Sequence, residues 1–169
     1  MTNQKIEPWL RGTHVEVDAI RRAVLHALEL AAEDIARWCE GLNGEEMETR
    51  PLGLPSVGLQ LRHTVRSLDR LLTYADGQQL TERQLKLLKS EEEFVDREAT
   101  LMEFAQGIEV ALKRVLAFSE KSYDQSRAVG RKKLPTTVGG LLVHCADHTQ
   151  RHVGQAITTT KVVMAMRGT

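Results

Sequence analysis

Cysteine is nearly absent from this chain: Cys39 and Cys145 are the only two in 169 residues. Two thiols cannot build a disulfide framework, and in a reducing compartment they are expected to stay free. Aromatic residues are also scarce, at 4%, and few stretches show the alternation of β-branched and aromatic residues that marks strands. Neither sign of charge dominates, since 23 Lys and Arg balance 23 Asp and Glu. No global field would gather nucleic acid or an anionic membrane, and neither is expected as a partner. The one basic run, Gly130 to Lys133, stands just before Leu134 and Pro135 and reads as a solvated loop. Long apolar runs are missing as well. The opening MTNQKIEPWLRGTH is polar and interrupted by Pro8, unlike a signal peptide, and nothing later approaches bilayer length, so a cytoplasmic protein is expected.

What is present is ordinary globular material, 41% hydrophobic and 27% charged, enough for one domain over residues 1–169. Apolar residues recur at three- and four-residue spacing, which predicts helices. The first is expected from about His14 to Cys39, with Val17, Ile20, Val24, Leu28, Ala31, Ile35 and Trp38 as its stripe. Gly41, Gly44, Pro51, Gly53 and Pro55 break the chain into a long connection. Ser56 caps a second helix through His63 and Leu72 to Asp76-Gly77, and a polar, partly helical connection with Glu91, Glu92 and Glu93 follows on the surface. A third helix covers roughly Arg97 to Ser119, Ser122 to Lys133 is a loop, and Thr136 or Thr137 caps a fourth helix that stops at Gly168. The expected class is all-α, four helices in a bundle.

Three of the six histidines stand out by position. His148 and His152 are four apart on the fourth helix, so at about 100° per residue they project from one face, a spacing suited to two nitrogen ligands on one ion. His63 lies in mid-helix between Leu59 and Ser67 on its own face. One ligand from the second helix and two from the fourth could converge in a bundle core, leaving coordination positions open. Spacing alone is met equally by hydrogen-bonded imidazoles. His144 sits roughly 80° around the helix from His152 and is not expected as a primary ligand. Cys145 shares the His148 face and is read as a small buried hydrophobe, with pocket wall as the alternative. Gly154 would let another helix approach closely, Gln155 would hydrogen-bond across the bundle, and purely packing roles stay open for both. Asp147 is read as surface. His14 and His26 have no partner at ligand spacing and are read as structural.

The run His144-Cys-Ala-Asp-His148-Thr-Gln-Arg-His152-Val-Gly154-Gln155 resembles the C-terminal HxxxHxGQ signature of the DinB/YfiT-like superfamily. Ser56-Val-Gly58-Leu-Gln-Leu61-Arg-His63 is similar to the lead-in of that family's second-helix histidine. The likeness covers roughly residues 14–167, the expected core of the domain. It implies an up-down-down-up four-helix bundle in which His63, His148 and His152 hold a divalent metal ion, zinc or nickel, with no catalytic residue assigned beyond these ligands. It further implies a homodimer acting on a small-molecule substrate. Better-understood relatives include thiol-dependent transferases and isomerases that use mycothiol or bacillithiol, so a low-molecular-weight thiol is a candidate cofactor. The expected activity is thiol-dependent S-transfer or a related hydrolysis. The alternatives are a non-catalytic or stress-associated bundle whose ion cross-links two helices, and a site satisfied by water. An open pocket flanked by apolar surface would favour catalysis.

Overall fold

The computed structural model describes residues 6–167 and is mostly helical. Four long helices, α1 (Ala19–Cys39), α3 (Val57–Ala75), α5 (Arg97–Ala117) and α6 (Val138–Met166), are joined by connections holding the short helices α2 (Gly44–Glu48) and α4 (Glu82–Lys89). Each long helix starts where a short polar side chain can accept from its free N–H groups. Asp18 accepts from Ile20 and Arg21, Ser56 from Leu59, Asp96 from Ala99, and Thr137 from Gly140. The first helix therefore begins at residue 19 rather than near His14, because Asp18 supplies the cap. The expected stop at Gly168 lies outside the described residues.

The core is built from one stripe of each long helix. Leu25, Leu28, Leu61, Leu68, Leu72 and Leu142 are completely buried, each contributing roughly 2 kcal/mol of transfer free energy. Hydrogen bonds between elements give the relative directions of the helices. Arg62 reaches Thr100, Arg66 reaches Glu103 and Arg114 reaches Asp69, so α3 and α5 run parallel. Gln150 donates to the Ala27 carbonyl and Thr160 meets Cys39, so α1 and α6 also run parallel. Thr159 bonds to Pro55 while His152 meets Gln60, which makes α6 antiparallel to α3. The α3–α5 contact is tight at Gly107, where an added Cβ would stand 2.4 Å from the Val65 Cβ.

The segment read as a loop over 122–133 contains strand β1 (Ser126–Val129), which pairs antiparallel with β2 (Leu134–Thr137), Ser126 opposite Thr137 and Val129 opposite Leu134. Four-residue strands are too short to show an alternation, and Pro135 is tolerated because a two-stranded ribbon has only edges. Arg127 fastens the hairpin to the end of α3 through the Ala75 carbonyl. Among the described residues no helix is long and apolar enough to cross a membrane.

Candidate metal centre

The register of α6 on α3, set by His152 against Gln60 and Thr159 against Pro55, brings the three histidines together. The ring centroids of His63 and His148 are 5.1 Å apart, those of His63 and His152 4.5 Å, and those of His148 and His152 4.4 Å. One nitrogen from each lies within 4.8 Å of the other two. The helical four-residue spacing of His148 and His152 sets their shared face.

Two of the rings are oriented by acceptors. His63 Nδ1 is 2.8 Å from Glu91 Oε2, and His152 Nδ1 is 2.6 Å from Gln60 Oε1. Both oxygens accept, so each Nδ1 carries a proton and donates, which leaves Nε2 as the nitrogen of each ring that can face an ion. Glu91 is itself held by Arg70 Nη1 at 2.6 Å, and Arg70 donates a further bond to Ser67 Oγ at 2.8 Å. Burial of Glu91 works to raise its pKa, but the His63 and Arg70 bonds outweigh this and hold the carboxyl below its ordinary value. The adjacent Arg62 is wholly buried and anchored by Glu48 at 2.7 Å.

Burial, followed by the neighbouring His152, His63 and His144, pushes the His148 pKa down to about 4. Burial and the neighbouring His63 and Arg151 also lower that of His152. Both rings are therefore neutral at physiological pH, the form in which imidazole offers a lone pair. His148 Nδ1 is buried with no hydrogen-bond partner, an arrangement that native interiors rarely leave uncompensated. The neutral imidazoles of His148 and His152, the orphaned His148 nitrogen and the adjoining His63 ring fit a borderline divalent cation such as zinc or nickel.

The cluster opens into a cleft of about 590 Å³ that includes His63 and His152 and is walled by Pro55, Leu59 and Leu88, with Lys89, Glu92 and Gln155 among its polar groups. A larger cavity of about 930 Å³ between α3, α4 and α5 contains none of the three histidines.

His144 stands outside the cluster, half exposed, 3.4 Å from Asp147, which also pairs with Arg151. Cys145 is completely buried and its thiol is pushed up to about 12, chiefly by burial; it is not among the cleft residues. Gly154 does not mediate close approach, because an added Cβ there would meet nothing within 4 Å. His14 and His26 do have a partner: they gather with Glu29, one donor atom of each within 4.8 Å of the others. Sequence reasoning missed Glu91, Gln60 and Arg70. Gln60 carried a signal, three residues before His63 on the same face. Glu91 carried none, since locally it is one of three consecutive glutamates.

The family model described as the DinB superfamily matches residues 27–156, a span that takes in His63, Glu91, His148 and His152. No curated protein matches the chain.

Proposed function

The chain belongs to the DinB superfamily, and from that membership together with the histidine cluster we propose that it is a metal-dependent enzyme using a three-histidine centre. His63, His148 and His152 would hold the ion, zinc or nickel by the character of the donors. The observation that carries the reading is the open cleft: two of the three imidazoles face a partly apolar space large enough for a small organic molecule. A purely cross-linking ion needs no such opening. When bound, the ion supplies Lewis acidity that makes a thiol or water a nucleophile at neutral pH. Thiol-dependent S-transfer is the preferred reaction, with hydrolysis as its relative.

The chain's own residues have definite parts in this reading. Glu91 and Gln60 fix the tautomers of His63 and His152 and aim their Nε2 atoms. Arg70 keeps Glu91 ionised and in place. Leu59, Leu88 and Pro55 limit water around the substrate, and Lys89 offers a cation to an anionic one. The up-down-down-up four-helix bundle belongs to the same proposal, supported by the parallel α1–α6 and α3–α5 pairs and the antiparallel α3–α6 pair. So do a single domain, a cytoplasmic homodimer, and a small-molecule substrate rather than nucleic acid or membrane.

The test is elemental analysis by plasma mass spectrometry of tag-free protein, wild type against His148→Ala. The expected result is near-stoichiometric metal in the wild type and loss of the ion held by the three-histidine cluster in the variant. That outcome licenses a screen of low-molecular-weight thiols against electrophiles. A wild type that takes up no metal after dialysis against zinc and nickel overturns the reading.

A further inference from the structure

On the far side of α1 from this chemistry, the residues before the helix fold back over it. Pro8–Leu10 form a single 3-10 turn that packs on α1. Arg11 grips Glu33 with both terminal guanidinium nitrogens, at 2.6 and 2.7 Å. Gly12 and His14 then take left-handed backbone angles, φ +69° and +57°. For glycine this is free, but histidine pays for it in steric strain. The bend turns the His14 ring down onto α1, where Nε2 lies 2.7 Å from Glu29 Oε1.

His26 and Glu29 are three residues apart on α1 and so share a face. His26 is nearly buried, at 8% exposure, and its Nε2 is 3.0 Å from the Thr13 hydroxyl. The His14 and His26 ring centroids are 5.6 Å apart. We propose that His14, His26 and Glu29 form a second divalent-cation site, separate from the three-histidine centre, that pins the N-terminal strap to α1.

Two imidazoles and one carboxylate are a donor set that zinc and its neighbours accept readily. Donors on a tetrahedral ion with bonds of about 2.0–2.2 Å stand roughly 3.4 Å apart, and the three donor atoms are already within 4.8 Å of one another, so side-chain rotation alone closes the site. The strained His14 backbone is poorly compensated by a part-exposed histidine–carboxylate pair, which returns little in water; a shared ion compensates it better. The ion would replace the hydrogen that His14 Nε2 donates to Glu29, that proton passing to Nδ1 of the same ring or to water, and would take the His26 Nε2 lone pair from Thr13. Water would complete its shell. This inference does not rest on the enzymatic reading.

The experiment is zinc titration of tag-free full-length chain, read by native mass spectrometry, for the wild type, His148→Ala, Glu29→Gln and His14→Ala. Glu29→Gln preserves shape, and His14→Ala removes a ligand from outside the helix, so neither depends on tolerance of a change at the nearly buried His26. The wild type is expected to bind two zinc ions. His148→Ala should keep one. Glu29→Gln and His14→Ala should each weaken one of the two by at least tenfold while leaving the other untouched. One zinc in the wild type, abolished by His148→Ala and unaffected by Glu29→Gln and His14→Ala, overturns the second site and leaves the first standing. One zinc that survives His148→Ala and is lost in Glu29→Gln supports the second site and removes the first.

Discussion

Replacing Glu91 with glutamine separates the charge of that side chain from its shape. In the native arrangement one carboxylate oxygen accepts the His63 Nδ1 proton at 2.8 Å and the other accepts from Arg70 at 2.6 Å. A carboxamide has one acceptor oxygen and one NH₂ group. If the oxygen faces His63, the NH₂ opposes the Arg70 guanidinium, donor against donor; if it faces Arg70, the NH₂ opposes the His63 N–H. One charge-assisted bond is lost either way, at about 1.5–3 kcal/mol. Partners that orient a ligand imidazole through its far nitrogen typically cost 10–100-fold in metal affinity when changed, which is about 1.4–2.7 kcal/mol. Zinc affinity of Glu91→Gln, measured by chelator competition at neutral pH, should therefore fall 10–100-fold. The control is Glu93→Gln two residues on, an exposed side chain that is not part of the cleft lining, and it should match the wild type. Wild-type affinity in Glu91→Gln, or an equal loss in Glu93→Gln, would refute the assigned role.

Other consequences concern stability. His148 has a pKa of about 4 when folded, against 6.5 ordinarily, so below pH 6.5 the unfolded chain binds the extra proton. Metal-free protein should lose up to about 3 kcal/mol as pH falls from about 6.5 to about 4, and denaturant melts should show His148→Gln losing less over that window. Gly107→Ala would drive a Cβ to 2.4 Å from the Val65 Cβ. Overpacking at about 1–3 kcal/mol should outweigh the roughly 1 kcal/mol gained in helix propensity, and an unchanged or raised Tm would show that α5 can move away freely. Glu48→Ala leaves the Arg62 guanidinium, fully buried, without its carboxylate partner. A loss of about 3–5 kcal/mol is expected in urea unfolding, with Glu45→Ala, on an exposed residue of the same short helix, close to wild type.

Local patterns determined a good deal. Apolar residues at three- and four-residue spacing, such as Val24, Leu28 and Ile35 in the first helix, marked helices because a helix repeats every 3.6 residues whatever it packs against. Ser56, and Thr136 or Thr137, announced helix starts because a cap bonds to N–H groups two or three residues away, and the structure selects Thr137 of the pair. His148 and His152 had to share a face once their helix formed, and the family-like lead-in singled out His63. These are short-range relations, and a sequence states them directly.

The tertiary structure decided the rest, because it depends on where distant parts of the chain come to lie. Glu91 is separated from His63 by 28 positions and is locally equivalent to Glu92 and Glu93; only the path of the α4–α5 connection turns the first inward and leaves the others in water. Gly154, in a motif that invited a packing role, faces open space. The 126–137 hairpin is too short for its period to be heard. His14 is twelve residues from His26 in sequence and meets it only because the backbone at Gly12 and His14 turns left-handed. Residue type and spacing set which side chains can act together along one helix; which helices and loops bring their side chains to the same point follows from packing the whole chain.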